Sequence, residues 1–168
     1  MNPNHRRCME LQTSSPEEMQ TLAKEMVGAL GAGTVLGLVG PLGAGKTTFV
    51  QGAALGLDAK DPFRVKSPTY ALWHTYPTQP LLHHIDLYRL GDVEEVYAMG
   101  IDEAFEDEHA IVCVEWADLA PALLGPHALW LSFPPNADSA RKLIIQLPVR
   151  MTEIEIIELE HALSAYKC

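Results

Sequence analysis

Lysine and arginine are missing from this 168-residue chain between Leu90 and Ala140, a stretch that carries 11 of its 22 acidic residues. An enzyme that moves a phosphoryl group needs cations to offset the charge on it, so this gap leaves no basic lid of the usual kind. The formal net charge of −10 argues against the chain alone gripping a nucleic acid backbone, because such binding neutralises phosphates with Lys and Arg. Cysteine is scarce too. Cys8, Cys113 and Cys168 are an odd number with no C-x-x-C pair, which suits free thiols in a reducing cytosol better than a disulfide framework. No run of 18 apolar residues occurs, so no membrane span is expected. The opening "MNPNHRRCMELQ" has basic residues without an apolar run behind them, unlike a signal peptide. No internal repeat and no linker divides the chain, which reads as a single domain over 1–168.

What is present centres on "GPLGAGKTTF". Gly40, four residues, then Gly45, Lys46 and Thr47 have the spacing of a phosphate-binding loop. Gly43 and Gly45 let the backbone take positive φ and approach an anion without a Cβ clash. Successive N–H groups from Leu42, Ala44 and Thr48 can then wrap a phosphate. Lys46 would reach the β/γ oxygens, and the Thr47 hydroxyl would bind Mg²⁺. Pro41 offers no N–H, but its fixed φ is compatible with a tight loop. The flanks agree: "TVLGLV" reads as a buried strand and "KTTFVQGAALG" as a helix closed by Gly56.

The remaining elements alternate. "CMELQT" is a first strand. "SSPEEMQTLAKEMVGALGAG" is a helix with Ser15 as cap, Pro16 in its first position and Glu18 completing a capping box. Its Met19, Leu22, Ala23, Met26, Val27 and Leu30 share one face. In "VKSPTYALWHTYP", Tyr70, Leu72 and His74 alternate with Ala71, Trp73 and Thr75, so a strand is expected from Tyr70 onward. "LLHHID", "AIVCVEW", "ALWLSF" and "KLIIQLPV" are further strands. "DVEEVYAMG" and "TEIEIIELEHALSAY" are helices, the latter with Thr152 and Glu155 as a capping box. The fold class that results is α/β: a P-loop domain with a doubly wound, mainly parallel sheet flanked by helices.

A phosphate cradle that hydrolyses its nucleotide also needs an acid near Mg²⁺ and a group that orients water. Asp86 and Glu115 end two strands and are the candidates for these roles, with Thr47, Asp86 and Glu115 as the Mg²⁺ ligands. Ser67-Pro68-Thr69-Tyr70 is either a Ser-Pro turn entering a strand or a switch whose Thr69 hydroxyl senses Mg²⁺ or the γ-phosphate. His83 and His84 are adjacent on a strand and point to opposite faces, so one metal ion cannot easily hold both. The six lysines follow Ala23, Gly45, Ala59, Val65, Arg141 and Tyr166, which excludes the Asn/Thr-Lys-x-Asp stretch of guanine readers. Adenine is the default base. A small-molecule kinase, a GTP-driven switch and a nucleotide-binding module without turnover are the rival readings.

Taken together, "GPLGAGKTTFVQG", "VKSPTYAL", "HHIDLYRL", "EEVYAMGIDEAF", "VEW" and the late Arg141 resemble the TsaE family. These are small P-loop ATPases of bacterial tRNA threonylcarbamoyladenosine synthesis. "SPTY" followed by "DLYRL" and "EW" is far more specific than the P-loop alone. The resemblance implies weak ATP hydrolysis coupled to a complex with TsaB and TsaD, and contact with tRNA only through that complex. It also implies that Lys46 and Thr47 bind ATP and Mg²⁺ and that Thr69 lies in a switch. Asp86 would be the Mg²⁺-side acid, and Glu115 with Trp116 a second switch near the γ-phosphate. Pro41 stands where the family usually carries Asp.

Overall fold

The apolar runs that read as buried strands lie side by side at the centre of one sheet. The computed structural model describes residues 5–61, 65–90, 93–135 and 140–168. In chain order its elements are β1 (His5–Thr13), α1 (Pro16–Ala29), β2 (Val35–Val39), α2 (Lys46–Gly56), β3 (Trp73–Tyr76) and β4 (Leu81–Asp86). They continue with α3 (Val93–Ala98), β5 (Ala110–Glu115), α4 (Pro121–Leu124), β6 (Leu129–Ser132), β7 (Arg141–Pro148) and α5 (Glu153–Ala162). The seven strands are ordered β1-β7-β6-β2-β5-β4-β3. The central four, β6, β2, β5 and β4, are parallel. β3 at one edge and β7 and β1 at the other run antiparallel. The sheet is thus α/β and mainly parallel in its core, with antiparallel margins.

Strand alternation divides the buried side chains between the two faces. Leu36 and Leu38 of β2, Ile111 and Cys113 of β5 and Leu82 of β4 join Met19, Leu22 and Met26 of α1, Phe49 and Val50 of α2, and Ile156 and Leu159 of α5. The opposite face buries Val112, Val114 and Ile85 against Val96 of α3, Leu124 of α4, and Ile101 and Ala104 of a 3₁₀ turn. The first face has two long helices in close contact. An ideal Cβ on Gly52 of α2 would lie 2.3 Å from the Gln20 carbonyl oxygen of α1, so only glycine lets the two backbones approach this far. Phe49 meets Phe133 edge-on, with centroids 6.1 Å apart.

Both capped helices start where the sequence places them. Thr152 and Glu155 form the full reciprocal box. At α1 the Ser15 side chain accepts the Glu18 N–H as expected. The Glu18 carboxylate, however, takes the N–H and hydroxyl of Ser14 rather than the Ser15 amide. Ser14 offers two donors at once, and they hold the Glu18 carboxyl below its usual range.

The strand expected from Tyr70 begins only at Trp73. Residues 69–72 form a turn, in which the Leu72 N–H bonds the Pro68 carbonyl and Leu72 takes φ +65°. The alternation over Tyr70–Leu72 is real but local turn closure overrides it. α4 and the 3₁₀ segments Ala117–Leu119 and Ile101–Phe105 are too short to carry a helical period. All three cysteines are free, and burial pushes the Cys113 thiol far up, which keeps it inert. No helix among the described residues is long and apolar enough to cross a membrane.

Candidate nucleotide site

The loop from Gly40 to Gly45 joins the carboxyl end of β2 to the amino end of α2. Gly43 and Gly45 hold φ +76° and +107°, the positive values the sequence calls for. Lys46 opens α2 and bends back over the loop. Its ammonium donates to the Gly40 carbonyl at 2.7 Å and the Pro41 carbonyl at 3.0 Å, and it stands 4.0 Å from the centroid of the Trp116 ring. Pro41 therefore loses a donor but supplies an acceptor. Burial lowers the Lys46 pKa, and the charges of Glu115, Asp86 and Asp118 oppose that shift.

The acids come from β5, which lies beside β2, and from β4 on its far side. β4 and β5 are parallel, and their register sets Asp86 opposite Glu115 and His84 opposite Cys113. Alternation puts Asp86, His84 and Glu115 on the face that α2 covers. Both carboxylates are almost fully buried, so each needs donors. Glu115 Oε1 accepts the Thr47 hydroxyl at 2.8 Å and His84 Nε2–H at 2.9 Å. Asp86 Oδ2 accepts the hydroxyls of Ser67 and Thr69, and its Oδ1 accepts the Tyr88 N–H at 2.9 Å. The Ser67 and Thr69 hydroxyl oxygens are 2.7 Å apart, so their two protons serve three close contacts.

These groups surround one cleft of about 370 Å³, lined by Leu42–Thr48 together with Ser67, Thr69, Asp86, Tyr88, Glu115, Trp116 and Arg141. That volume falls in the range of small-ligand sites. Trp116 leaves β5 with φ +59° and ψ +38°, a left-handed conformation that costs a non-glycine residue on the order of 1 kcal/mol. The turn lays its ring against Tyr88, with centroids 4.9 Å apart, and over Lys46. Arg141, at the start of β7, reaches the Gly43 carbonyl from the far side at 3.4 Å.

The donor set suits a nucleotide with Mg²⁺. A hydroxyl and two carboxylates are hard oxygen ligands of the kind Mg²⁺ takes, and the glycine loop leaves the space and the N–H groups an anion requires. Every residue assigned to the nucleotide or Mg²⁺ from the sequence is in or at this cleft; Gly40 and Pro41 are there through the carbonyls that hold Lys46. The two histidines part as expected. His83 turns to the opposite face, bonded to Thr75 at 2.8 Å, Trp73 at 3.3 Å and Asp107 at 3.0 Å. The sequence assigns no role to His84, Tyr88 or Arg141, and it leaves Ser67 in a segment that is either a turn or a switch, with no contact to Asp86 foreseen. Their signal was position: His84 is two residues before Asp86, and on a strand that means the same face.

The profile of the family described as "Threonylcarbamoyl adenosine biosynthesis protein TsaE" matches residues 13–143. A Bacillus subtilis relative named tRNA threonylcarbamoyladenosine biosynthesis protein TsaE is 36% identical over 136 residues, covering 80% of this chain and 83% of its own. An Aquifex aeolicus protein of the same name is 41% identical over 110 residues, covering 65% of this chain and 77% of its own. Among solved structures, the crystal structure of Bacillus subtilis YdiB superposes with a TM-score of 0.74 at 29% identity, covering 92% of this chain and 95% of that one.

Proposed function

Because the chain belongs to the TsaE family of threonylcarbamoyl adenosine biosynthesis proteins, we propose that it is a slow ATP hydrolase that serves threonylcarbamoyladenosine modification of tRNA. Its activity depends on a complex with TsaB and TsaD, and it meets tRNA only through them. It works as one unit over residues 1–168 in the cytoplasm. The observation that carries this reading is the 2.8 Å contact between Thr47 and Glu115. It joins the end of the cradle to the acid side of the cleft.

Leu42, Gly43, Ala44, Gly45 and Thr48 line the cleft, and their backbone N–H groups would turn to the phosphates, that of Ala44 giving up the Pro41 carbonyl it holds at 3.2 Å. Lys46 swings from the Gly40 and Pro41 carbonyls to the β/γ oxygens, where charge-assisted bonds are stronger. Thr47 and Asp86 would hold Mg²⁺, with Glu115 beside them. When bound, Mg²⁺ would supply positive charge that offsets the charge on the phosphates. Glu115 orients a water and accepts its proton. Thr69 and Ser67, now on Asp86, form the switch that responds to the triphosphate. Trp116 and Tyr88 cover the γ-phosphate side.

Single-turnover hydrolysis of ATP, alone and with the TsaB–TsaD pair, tests this reading. Slow turnover that rises when the pair is added is the expected result. Tight ATP binding with no turnover in either case would make the chain a nucleotide-dependent binding module.

A further inference from the structure

His84 is fully buried, and its ring is the second donor to Glu115 Oε1. Among the described residues nothing bonds its Nδ1. A position that only needed filling, in the apolar layer beneath α2 with Leu82 on the same strand face, would take Leu or Met at no desolvation cost. An imidazole there is explained by its Nε2–H. The tautomer follows as well: with the proton on Nε2, Nδ1 is a bare acceptor, and an unmatched acceptor is easier to bury than an unmatched donor.

Oε1 has two donors, and they differ in permanence. The Thr47 hydroxyl is the group that Mg²⁺ would claim. Its O–H can go on donating from a metal-bound oxygen, but the place of that oxygen is then set by the ion, whereas His84 is held by its own packing. A glutamate side chain has three rotatable bonds, and a base must sit within hydrogen-bond reach of its proton. Fixing one oxygen determines where the other can point, as partners behind metal-site ligands do.

We propose that His84 is the positioning residue for Glu115: its Nε2–H anchors Oε1 from beneath the sheet face and leaves Oε2 as the oxygen that acts on water. This rests on the hydrolase reading above. His84 touches neither nucleotide nor water and acts only through Glu115.

The test pairs His84→Leu with His84→Gln, whose amide N–H can approach the place of Nε2. His84→Leu should bind ATP within roughly threefold of wild type and lose hydrolysis about 10- to 100-fold, a fall in kcat without a rise in KM. His84→Gln should recover most of the rate. A residue that merely packs predicts the reverse order, with Leu better tolerated than Gln, and that result would overturn the proposal. So would a normal rate in His84→Leu. Glu115→Gln separates this failure from failure of the hydrolase reading: if it is inactive while His84→Leu is normal, the base stands and only its anchor is wrong. A readout without turnover covers the case in which His84→Leu does not fold. In nucleotide-free wild-type protein with ¹⁵N-labelled histidine, the His84 ring should show an Nε2–H protected from exchange, and Glu115→Ala should shift that signal and speed its exchange. A proton found on Nδ1 alone, or a signal indifferent to Glu115→Ala, would sink the assignment.

Discussion

On one side of the cleft the ligand groups are backbone N–H groups and the Lys46 ammonium, contiguous in sequence and set by the φ angles of the loop. On the other they are side chains from segments 17 to 68 residues apart, held by one another. The Gly40–Thr48 arm needs glycine at three positive-φ positions, Gly40, Gly43 and Gly45, and a helix behind it packed closely on α1. The acid arm is a chain of hydrogen bonds from Ser67 and Thr69 to Asp86, and from Thr47 and His84 to Glu115. Each bond on that side satisfies a buried carboxylate. A ligand that claims the Thr47 oxygen resets one donor to Glu115 while His84 keeps the other in place. The cradle is therefore preformed and the acid arm adjustable, a division that would let a nucleotide bind to one side and change the other.

The largest effect should come from breaking the preformed side. Lys46→Ala removes the cation at the β/γ oxygens, and ATP affinity should fall at least about 100-fold, roughly 2.7 kcal/mol. Titration with ATP, with and without Mg²⁺, measures this. Affinity equal to wild type would show that Lys46 serves only to hold the Gly40 and Pro41 carbonyls.

Glu115→Gln probes the other side. The amide keeps the size and can still accept from His84 and Thr47, but it takes up no proton. Turnover should fall about 100-fold or more, with ATP affinity within roughly threefold, less than 1 kcal/mol. A normal rate in single-turnover hydrolysis would make Glu115 structural and pass its duty to Asp86.

Gly52→Ala tests how far the cradle depends on the α1–α2 contact. The added methyl meets backbone, not a movable side chain. Overpacking of this kind costs about 1–3 kcal/mol, so the thermal midpoint should drop by roughly 3–10 °C. Saturating ATP should restore part of the loss, because binding stabilises the folded state. An unchanged midpoint would mean that the helices can part without cost.

The same division explains what was legible in the sequence. The cradle, the Ser15 and Thr152 caps, and the apolar face of α1 are local patterns, and all of them stand in the structure. Asp86 and Glu115 were readable as strand ends. The partners of Asp86 and Glu115 were not, because contact between His84 and Glu115 depends on the parallel register of β4 and β5, which no local pattern encodes. The β3 start was misplaced for a related reason. Alternation over Tyr70–Leu72 matches a strand, and only the Leu72 bonds to Pro68 and Asp86 show the turn. The antiparallel margins also escaped, since strand direction is set by connections rather than by composition.

The smallest effect on the isolated protein should come from the acidic segment, far from either arm. Glu103, Glu106 and Glu108 are exposed, whereas Asp102 is half-buried at the start of the 3₁₀ turn, so only the three glutamates can be reversed without disturbing the fold. Changing them to Lys should leave ATP affinity and unstimulated turnover as they are, since none lines the cleft. Stimulation by the TsaB–TsaD pair is another matter. A tRNA-modifying complex needs basic surface, and this chain has no lysine or arginine between Leu90 and Ala140. In the proposed complex the partners would carry it, and opposite charge on this segment would steer them to it. Stimulation by the pair should fall about tenfold at 10 mM salt, where charges act over about 30 Å. The gap should narrow toward 150 mM, where that reach shrinks to about 8 Å. Curves that match at every salt concentration would reduce the acids to a solubility surface. A gap that persists unchanged at high salt would mean that the lysines block the interface by shape and not by charge.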